Sequence, residues 1–443
     1  MHHQKKLTTI GSLIIGVIVL IVLLPTCKNP SEKNDKTSVT SANNAKDSFK
    51  VRPLTDIKVE RTPQRLQHGK YLVNNILYCF SCHSPRNWDL AGAPPIVEKQ
   101  GSGGDVLFED STTKIIAPNI TPDKETGAGT WTDDMLARSI REGIGHDGRV
   151  LSSEMPYEQS FRYLSDEDLA SVIVYLRSLP AIHHVVPATK LSAGIKSWLE
   201  KSFNPLTQSV AAPDLSDSIK RGAYLVKLGD CMGCHTTFNG DYSPGIFGGG
   251  FDINLLGHKA FSANITFDPS GINYGAEAFI FVIRTGKGGT LSPIMPWVAF
   301  KNMNDTDLKA IYAYLSTLPH AQHHITNQPP FTHCAVCGQE HGNGDKNKRE
   351  KPKGIKLNPD IYEQYAGTYF NEELNYSYII TKQGNELVGQ LGNGPKTELI
   401  PQSEVYFLAP GWVLPVSFIK DENEHVTALK EATDYGGVFK KIK

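Results

Sequence analysis

The sequence lacks an excess of charge of either sign. Its 45 Lys and Arg residues face 46 Asp and Glu residues, and the formal net charge is -1. This balance excludes a global basic field of the kind that attracts nucleic acid, so we expect no nucleic-acid partner. Methionine is also scarce, with six in the chain, so a methionine at a repeated position is informative. The length of 443 residues predicts about three domains, and a hydrophobic content of 40% can support packed cores.

The N-terminus has the pattern of an export signal. Lys5 and Lys6 precede an apolar stretch from Leu7 to Leu24, and Cys27 follows it closely. A basic start, an apolar stretch and a cleavage site define a secretory signal. The spacing resembles a lipoprotein signal, in which Cys27 would be lipidated. The alternative is an uncleaved anchor helix, since about 20 apolar residues span a bilayer.

Both interpretations attach the chain to a membrane through residues 1–26, which form a signal peptide or an anchor. Both also place the rest of the chain in the periplasm or on the outer side of a membrane. Residues 27–60 are rich in Lys, Ser, Asn, Asp and Thr and show no apolar periodicity. They predict a flexible tether.

The body of the chain contains an internal repeat. Six markers recur in the same order, so two domains are predicted, over residues 61–190 and 215–330. The markers pair Gly69–Val73 with Gly222–Val226, Cys79–His83 with Cys231–His235, Asn119–Thr121 with Asn264–Thr266, Ile140–Gly143 with Ile283–Gly286, Met155–Pro156 with Met295–Pro296, and Leu164–Pro180 with Met303–Pro319. Both repeats read as mainly helical, and Ser165 and Asn304 resemble helix caps.

Each repeat carries a C-x-x-C-H motif, the attachment site of c-type haem. Cys79 and Cys82 in the first repeat, and Cys231 and Cys234 in the second, would each form a thioether with a haem vinyl group. The histidine that follows, His83 or His235, would then bind the iron. The alternatives are a thioredoxin-like redox pair or half of a zinc site, but neither requires the adjacent histidine.

The duplication also nominates the sixth iron ligand. Met155 and Met295 fall at equivalent positions, and each precedes a proline. Met303 is the local competitor in the second repeat, but it matches Leu164 and begins the closing helix. His/Met ligation raises the haem potential and leaves no coordination site for oxygen or peroxide.

The two repeats resemble the haem domains of the cytochrome c subunits of bacterial membrane-bound alcohol, aldehyde and gluconate dehydrogenases. The resemblance covers about residues 61–330. It rests on Asn119–Asp123, Glu125–Gly127, Trp131–Thr132 and Ser165–Asp168. The second repeat departs from this pattern, with Phe267 in place of the proline. The resemblance implies two mainly α class I cytochrome c domains. It also implies electron transfer from a periplasmic dehydrogenase to quinone or a terminal oxidase.

The third cysteine pair, Cys334 and Cys337, lacks a following histidine, so a third haem is not expected. A local disulfide within a linker over residues 331–355 is the main prediction, since the predicted compartment is oxidising. A zinc site from His333, Cys334, Cys337 and His341 is the alternative. The paired histidines at 183–184 and 323–324 are expected to be exposed loop residues.

Residues 356–443 change to a period of two. Tyr376–Thr381 pairs with Glu386–Leu391, and Val416–Lys420 pairs with His425–Leu429, as antiparallel hairpins. The segment resembles the small lipocalin-like β-domain appended to exported bacterial enzymes, and a small antiparallel β-barrel-like domain is predicted.

Two classes of function fit these observations. The first is an exported dihaem electron carrier that is not itself an enzyme, with redox proteins as partners. The second is a dihaem peroxidase, which needs one haem without a methionine ligand. Since both repeats offer a methionine at the same place, the electron carrier is favoured.

Overall fold

The computed structural model describes residues 51–443 apart from short gaps. The gaps are residues 91, 203–205, 207, 238–241, 256–257, 288–294, 349–352, 373–375, 393, 395, 410–414, 432–436 and 443. The predicted signal or anchor over residues 1–26, the lipidation of Cys27 and most of the tether lie outside this part of the chain. Within the described part, no helix combines the length and apolar character needed to cross a membrane.

The first repeat is built from three helices around one core, with a small hairpin beside them. A fourth helix follows in the segment that leads to the second repeat. The elements are α1 (Pro63–Asn75), β1 (Val106–Glu109), β2 (Lys114–Ile116), α2 (Asp133–Glu142), α3 (Asp166–Ser178) and α4 (Ala193–Ser202). The core of the repeat is apolar and includes Leu72, Val73, Leu136, Val172 and Ile173.

The second repeat has the same order of three main helices and a hairpin, adds two short helices, and ends in an additional hairpin. The elements are α5 (Ser218–Leu228), α6 (Cys231–His235), β3 (Asp252–Leu255), β4 (His258–Phe261), α7 (Ala276–Thr285), α8 (Trp297–Phe300), α9 (Asp305–Leu315), β5 (Thr326–His333) and β6 (Glu340–Gly342). The hairpin of β5 and β6 occupies part of the segment that was predicted as a linker over residues 331–355.

The predicted helix caps are confirmed. The Asp168 N–H donates to Ser165 Oγ at 3.1 Å, and the Asp307 N–H donates to Asn304 Oδ1 at 2.8 Å. Each cap satisfies a backbone donor that has no partner inside its helix. Acidic residues in the first turn of α3 and α9 add favourable interactions with the helix dipole.

The first and last helices of each repeat approach each other closely at a glycine. A Cβ atom on Gly69 in α1 would lie 1.9 Å from the carbonyl oxygen of Ser171 in α3. A Cβ atom on Gly222 in α5 would lie 2.0 Å from the carbonyl oxygen of Ala310 in α9. Both distances are far below van der Waals contact, so only glycine fits at these two crossings.

The two repeats contact each other through a reciprocal pair of tyrosines. Tyr71 of the first repeat donates its hydroxyl hydrogen to Asp307 of the second, and Tyr224 of the second donates to Asp168 of the first. The tyrosine oxygens in turn accept backbone N–H groups, from Asn304 at 3.0 Å and from Ser165 at 2.9 Å. The interface is therefore approximately two-fold symmetric and fixes one repeat against the other.

Residues 51–60, predicted as part of the tether, are instead held against α2. The guanidinium of Arg52 contacts Asp134 at 2.6 Å and Glu142 at 2.7 Å. The Val59 N–H donates to Asp133 at 3.0 Å. These contacts hold Arg52 and Val59 on α2, because the acidic groups of α2 that are buried there require such donors.

The C-terminal segment forms a closed antiparallel barrel of eight strands, which confirms the predicted barrel-like domain. A short helix, α10 (Tyr362–Tyr365), precedes it. Both predicted hairpins are present, with Ile380 opposite Gly389 and Phe418 opposite Leu429. The strands are β7 (Gly367–Asn371), β8 (Tyr376–Gln383), β9 (Glu386–Leu391), β10 (Lys396–Pro401), β11 (Tyr406–Leu408), β12 (Val416–Lys420), β13 (Val426–Glu431) and β14 (Val438–Lys441). Its core is separate and rich in aromatic residues.

Candidate haem-binding sites

Each C-x-x-C-H motif begins directly after a residue in the left-handed region. Tyr78 has φ 38°, and Asp230, at the equivalent position, has φ 48°. Such angles are uncommon for residues with a side chain and are retained where surrounding structure requires them. Here they turn the chain sharply out of α1 and α5, so that the two cysteines of each motif lie in a short helical turn.

The histidine of each motif is oriented by a backbone carbonyl. His83 Nδ1 donates to the carbonyl oxygen of Pro118 at 2.9 Å, and His235 Nδ1 donates to that of Ala263 at 2.7 Å. Burial lowers the pKa of both imidazoles, so they stay neutral. A neutral imidazole with a protonated Nδ1 presents the Nε2 lone pair to a metal.

A glycine-rich loop in the middle of each repeat supports this arrangement. The N–H of Gly103 donates to the His83 carbonyl at 3.0 Å, and the N–H of Gly249 donates to the His235 carbonyl at 2.8 Å. Both glycines have positive φ angles, and a Cβ atom on either would lie within 2.5 Å of the segment that carries the orienting carbonyl.

The first repeat brings its four predicted haem-binding residues into one cavity. Cys79, Cys82, His83 and Met155 all line a space of about 840 Å³. The other walls are largely apolar and include Leu77, Leu136, Ile140, Phe161, Val172 and Leu176. A cavity of this size, with a mainly apolar surface and two thiols in its wall, fits a covalently bound macrocycle.

Met295 has the same local geometry as Met155. The carbonyl of Met155 accepts the Tyr157 N–H at 2.7 Å, and the carbonyl of Met295 accepts the Trp297 N–H at 2.7 Å. Both methionines are partly buried and pack against the helical core. Met303, the competitor, is only 3% exposed within that core, as expected for a packing residue.

The thiols of the two motifs differ from those of a redox-active pair. Partial burial raises the pKa of Cys79 and Cys231 to about 12, and that of Cys82 to about 11. Reactive C-x-x-C pairs require the opposite shift, since the thiolate is the reactive form. This argues against the thioredoxin-like alternative.

The two attachment sites share a wall. Asp230, Gly233 and Cys234 of the second motif line the cavity that holds the cysteines of the first. The ring of Tyr78 packs edge-on against Phe300 at 5.6 Å. The Ser160 hydroxyl donates to the carbonyl of Leu228 at 2.7 Å. These contacts place both motifs at the interface between the repeats.

Asp230 is the residue at this shared wall whose charge responds to pH. Burial raises the pKa of its carboxyl to about 6, and a backbone hydrogen bond from Gly233 opposes the shift only in part. The carboxyl is therefore neutral below about pH 6 and negative above it. A negative charge stabilises an oxidised metal centre nearby more than a reduced one.

We expect the midpoint potential of the protein to fall as the pH rises through 6, by at most ~59 mV per pH unit. Potentiometric titrations over this range should show the slope in the native protein and lose it in Asp230→Asn. Asp214→Asn, at an exposed position, is the control and should keep the slope. If Glu154→Gln removed the slope instead, the responsible group would be the carboxyl beside Met155.

The third cysteine pair differs from its main prediction. Cys334 and Cys337 are not joined by a disulfide in the structure, although both are fully buried. Two imidazoles, of His323 and His341, share their pocket. His323 was predicted as an exposed loop residue and is buried, whereas His333, named in the zinc alternative, is exposed. His183 is exposed as predicted.

Comparisons with known proteins confirm the predicted resemblance. No protein-family model matches the chain. A dihaem c-type cytochrome of Cereibacter sphaeroides is 28% identical over 268 residues, which cover 54% of this chain and 82% of that protein. The fructose dehydrogenase cytochrome subunit of Gluconobacter japonicus is 34% identical over 258 residues, covering 54% of this chain and 50% of that protein.

A nicotinate dehydrogenase subunit of Pseudomonas putida is 28% identical over 234 residues. The match covers 49% of this chain and 19% of that protein. The chain therefore spans from about a fifth to four fifths of the length of these relatives. It resembles cytochrome c subunits of alcohol, fructose and gluconate dehydrogenases.

Proposed function

We propose that this chain is an exported dihaem c-type cytochrome. It relays electrons from a periplasmic dehydrogenase to quinone or a terminal oxidase. The observation that carries the proposal is the cavity lined together by Cys79, Cys82, His83 and Met155. The equivalent residues of the second repeat lie in matching local geometry. On this proposal, residues 61–190 and 215–330 are two class I cytochrome c domains, each with one haem c.

Bound haem would supply reversible one-electron chemistry at its iron. The protein's part is to hold that chemistry in place. The cysteines anchor the group, and the carbonyls of Pro118 and Ala263 fix the tautomer of each histidine. Met155 and Met295 would each supply a thioether ligand to the iron. An iron held by both a histidine and a methionine would favour electron relay over turnover of peroxide.

Transfer between the two sites is supported by the interface between the repeats. Cys234 of the second motif lines the first cavity, so the two attachment sites adjoin. The reciprocal tyrosine contacts with Asp307 and Asp168 keep this spacing fixed. An electron relay requires a short and constant distance between its two sites. With the repeats fixed against each other, the docking of a partner does not have to change that distance.

The proposed donor follows from the relatives, whose names are those of dehydrogenase cytochrome subunits. The proposed export and membrane attachment rest on the sequence of residues 1–27. The barrel over residues 356–443 has its own core and offers no cysteine. We assign it no part in haem binding.

Three measurements test the proposed relay against a dihaem peroxidase. Potentiometric titration of the purified protein should give two one-electron waves, and both ferric haems should be low-spin. The reduced protein should not be oxidised rapidly by hydrogen peroxide. A high-spin ferric haem that turns over peroxide would instead favour the peroxidase.

A further inference from the structure

Four buried side chains converge at the end of the second repeat. His323 follows α9, Cys334 and Cys337 lie in the turn between β5 and β6, and His341 lies in β6. All four are fully buried. One ligand atom from each lies within 4.8 Å of all the others.

The hydrogen bonds of the two histidines decide which atoms face the centre. His323 Nδ1 donates to the carbonyl of Gly248 at 2.8 Å, and His341 Nδ1 donates to the carbonyl of Gly342 at 3.0 Å. In a neutral imidazole the other nitrogen, Nε2, then carries only a lone pair. The two Nε2 atoms face each other at 3.3 Å. Two such lone pairs repel each other at this distance, and either a proton or a metal ion between them relieves the repulsion.

Two distances from the Nε2 atom of His323 fit a tetrahedral zinc ion. Zn–N bonds of about 2.0–2.1 Å at the tetrahedral angle separate two nitrogen ligands by about 3.3–3.4 Å, and Zn–S bonds are about 2.3 Å. The observed Nε2–Nε2 distance is 3.3 Å, and Cys334 Sγ lies 3.4 Å from His323 Nε2. Two thiols and two imidazoles are an ordinary structural zinc ligand set.

The surrounding backbone is already arranged to support such ligands. The Cys337 N–H donates to Cys334 Sγ at 3.4 Å, which stabilises negative charge on that sulfur. Two hydrogen bonds close the turn. The Cys334 N–H donates to the Gln339 carbonyl at 2.8 Å, and the Gly338 N–H donates to the Cys334 carbonyl at 2.9 Å. Carbonyl partners such as those of His323 and His341 orient metal-binding histidines.

Comparison of the repeats shows that the cluster is an addition to the second one. His184 occupies the place of His323, since its Nδ1 donates to the Ser102 carbonyl at 2.9 Å in the corresponding glycine-rich loop. In the second repeat, the hairpin of β5 and β6 brings Cys334 and Cys337 against this histidine. Nothing equivalent faces His184 among the metal-binding groups of the described residues.

We propose that His323, Cys334, Cys337 and His341 bind one structural Zn²⁺ ion. Four protein ligands leave no open coordination position, which distinguishes a structural site from a catalytic one. The ion would join the hairpin to the loop that supports the haem-binding histidine. The carbonyl of Gly248 accepts a hydrogen bond from His323 Nδ1, and the N–H of the next residue, Gly249, donates to the carbonyl of His235. The proposal stands whether or not the proposed electron relay is correct.

Elemental analysis of the purified full-length holoprotein, after dialysis against a weak chelator, tests the site. One zinc per chain is expected, beside the haem iron. Cys337→Ser and His341→Ala should each reduce zinc at least tenfold. His333→Ala is the matched control on the same hairpin and should keep one zinc. X-ray absorption at the zinc edge should give about two sulfur ligands near 2.3 Å and two nitrogen ligands near 2.0–2.1 Å.

Several results would overturn the proposal. A metal-free protein lighter by two hydrogens would show a disulfide between Cys334 and Cys337. A metal-free protein with both thiols reduced would show a hydrogen-bonded cluster alone. If Cys337→Ser and His341→Ala fail to fold, His341→Cys serves instead. It keeps four ligands and should retain zinc. Loss of zinc from a folded His341→Cys protein, or retention in Cys337→Ser, would also contradict the assignment.

Discussion

Replacing Met155 or Met295 by alanine should remove half of the methionine-to-iron charge-transfer band at the red end of the oxidised spectrum. Each change should also lower the potential of one haem by on the order of 100 mV, a small part of the ~0.8 V that axial ligands span. The reason is that a thioether stabilises the ferrous state, and its loss leaves water or another ligand in its place. Visible spectra and potentiometric titration of the purified variants measure both effects.

Met303→Leu is the matched control for these variants. Met303 is buried in the same core, and leucine conserves most of its volume, so the band and both potentials should be unchanged. The opposite pattern, with an intact band in Met295→Ala and a weakened band in Met303→Leu, would transfer the ligand assignment to Met303. The double variant at positions 155 and 295 should lose the band completely.

Gly69→Ala and Gly222→Ala should each destabilise one repeat by about 3 kcal/mol or more, the upper range for an overpacked core. The added Cβ atom would meet a backbone carbonyl at 1.9 Å or 2.0 Å. A carbonyl inside a helix cannot move aside as a side chain can. Since each crossing lies within one repeat, Gly69→Ala should loosen the first haem site and Gly222→Ala the second. Denaturant unfolding followed by haem absorption would report each loss.

Gly194→Ala provides the comparison. Gly194 lies in α4, and a Cβ atom there would meet nothing within 4 Å. Alanine in a helix reduces the freedom of the unfolded chain, so this variant should be neutral or slightly stabilised. If all three variants were equally stable, the two helices at each crossing would lie farther apart than they do in the structure.

The order of elements could be predicted because its signals are local. The caps at Ser165 and Asn304 and the strand pairs of the barrel depend on residues within one turn or one hairpin. That Met155 lies in one cavity with Cys79, Cys82 and His83 could also be predicted, since the duplication aligned Met155 with Met295. The sequence shows the glycine in each Gly-x-Tyr-Leu-Val marker. It does not show the helix crossing that requires a glycine there.

The contacts between distant segments were not predictable from spacing. The left-handed angles at Tyr78 and Asp230 arise where α1 and α5 meet the haem motifs, and no local composition signals them. In the third cysteine pair, the sequence interpretation considered His333, the neighbour of Cys334. The structure brings His323 instead, from the end of the repeat. The equivalence of His184 and His323 was the one signal that could have identified it.

The number of covalent haems tests the central claim most directly. Intact mass spectrometry of the purified full-length protein under denaturing conditions, with haem staining of the same band, should give the mass of the chain plus two haems. Haem retained after denaturation is expected because thioether bonds from Cys79, Cys82, Cys231 and Cys234 survive unfolding. A mass with one haem or three, or loss of haem on denaturation, would contradict the account.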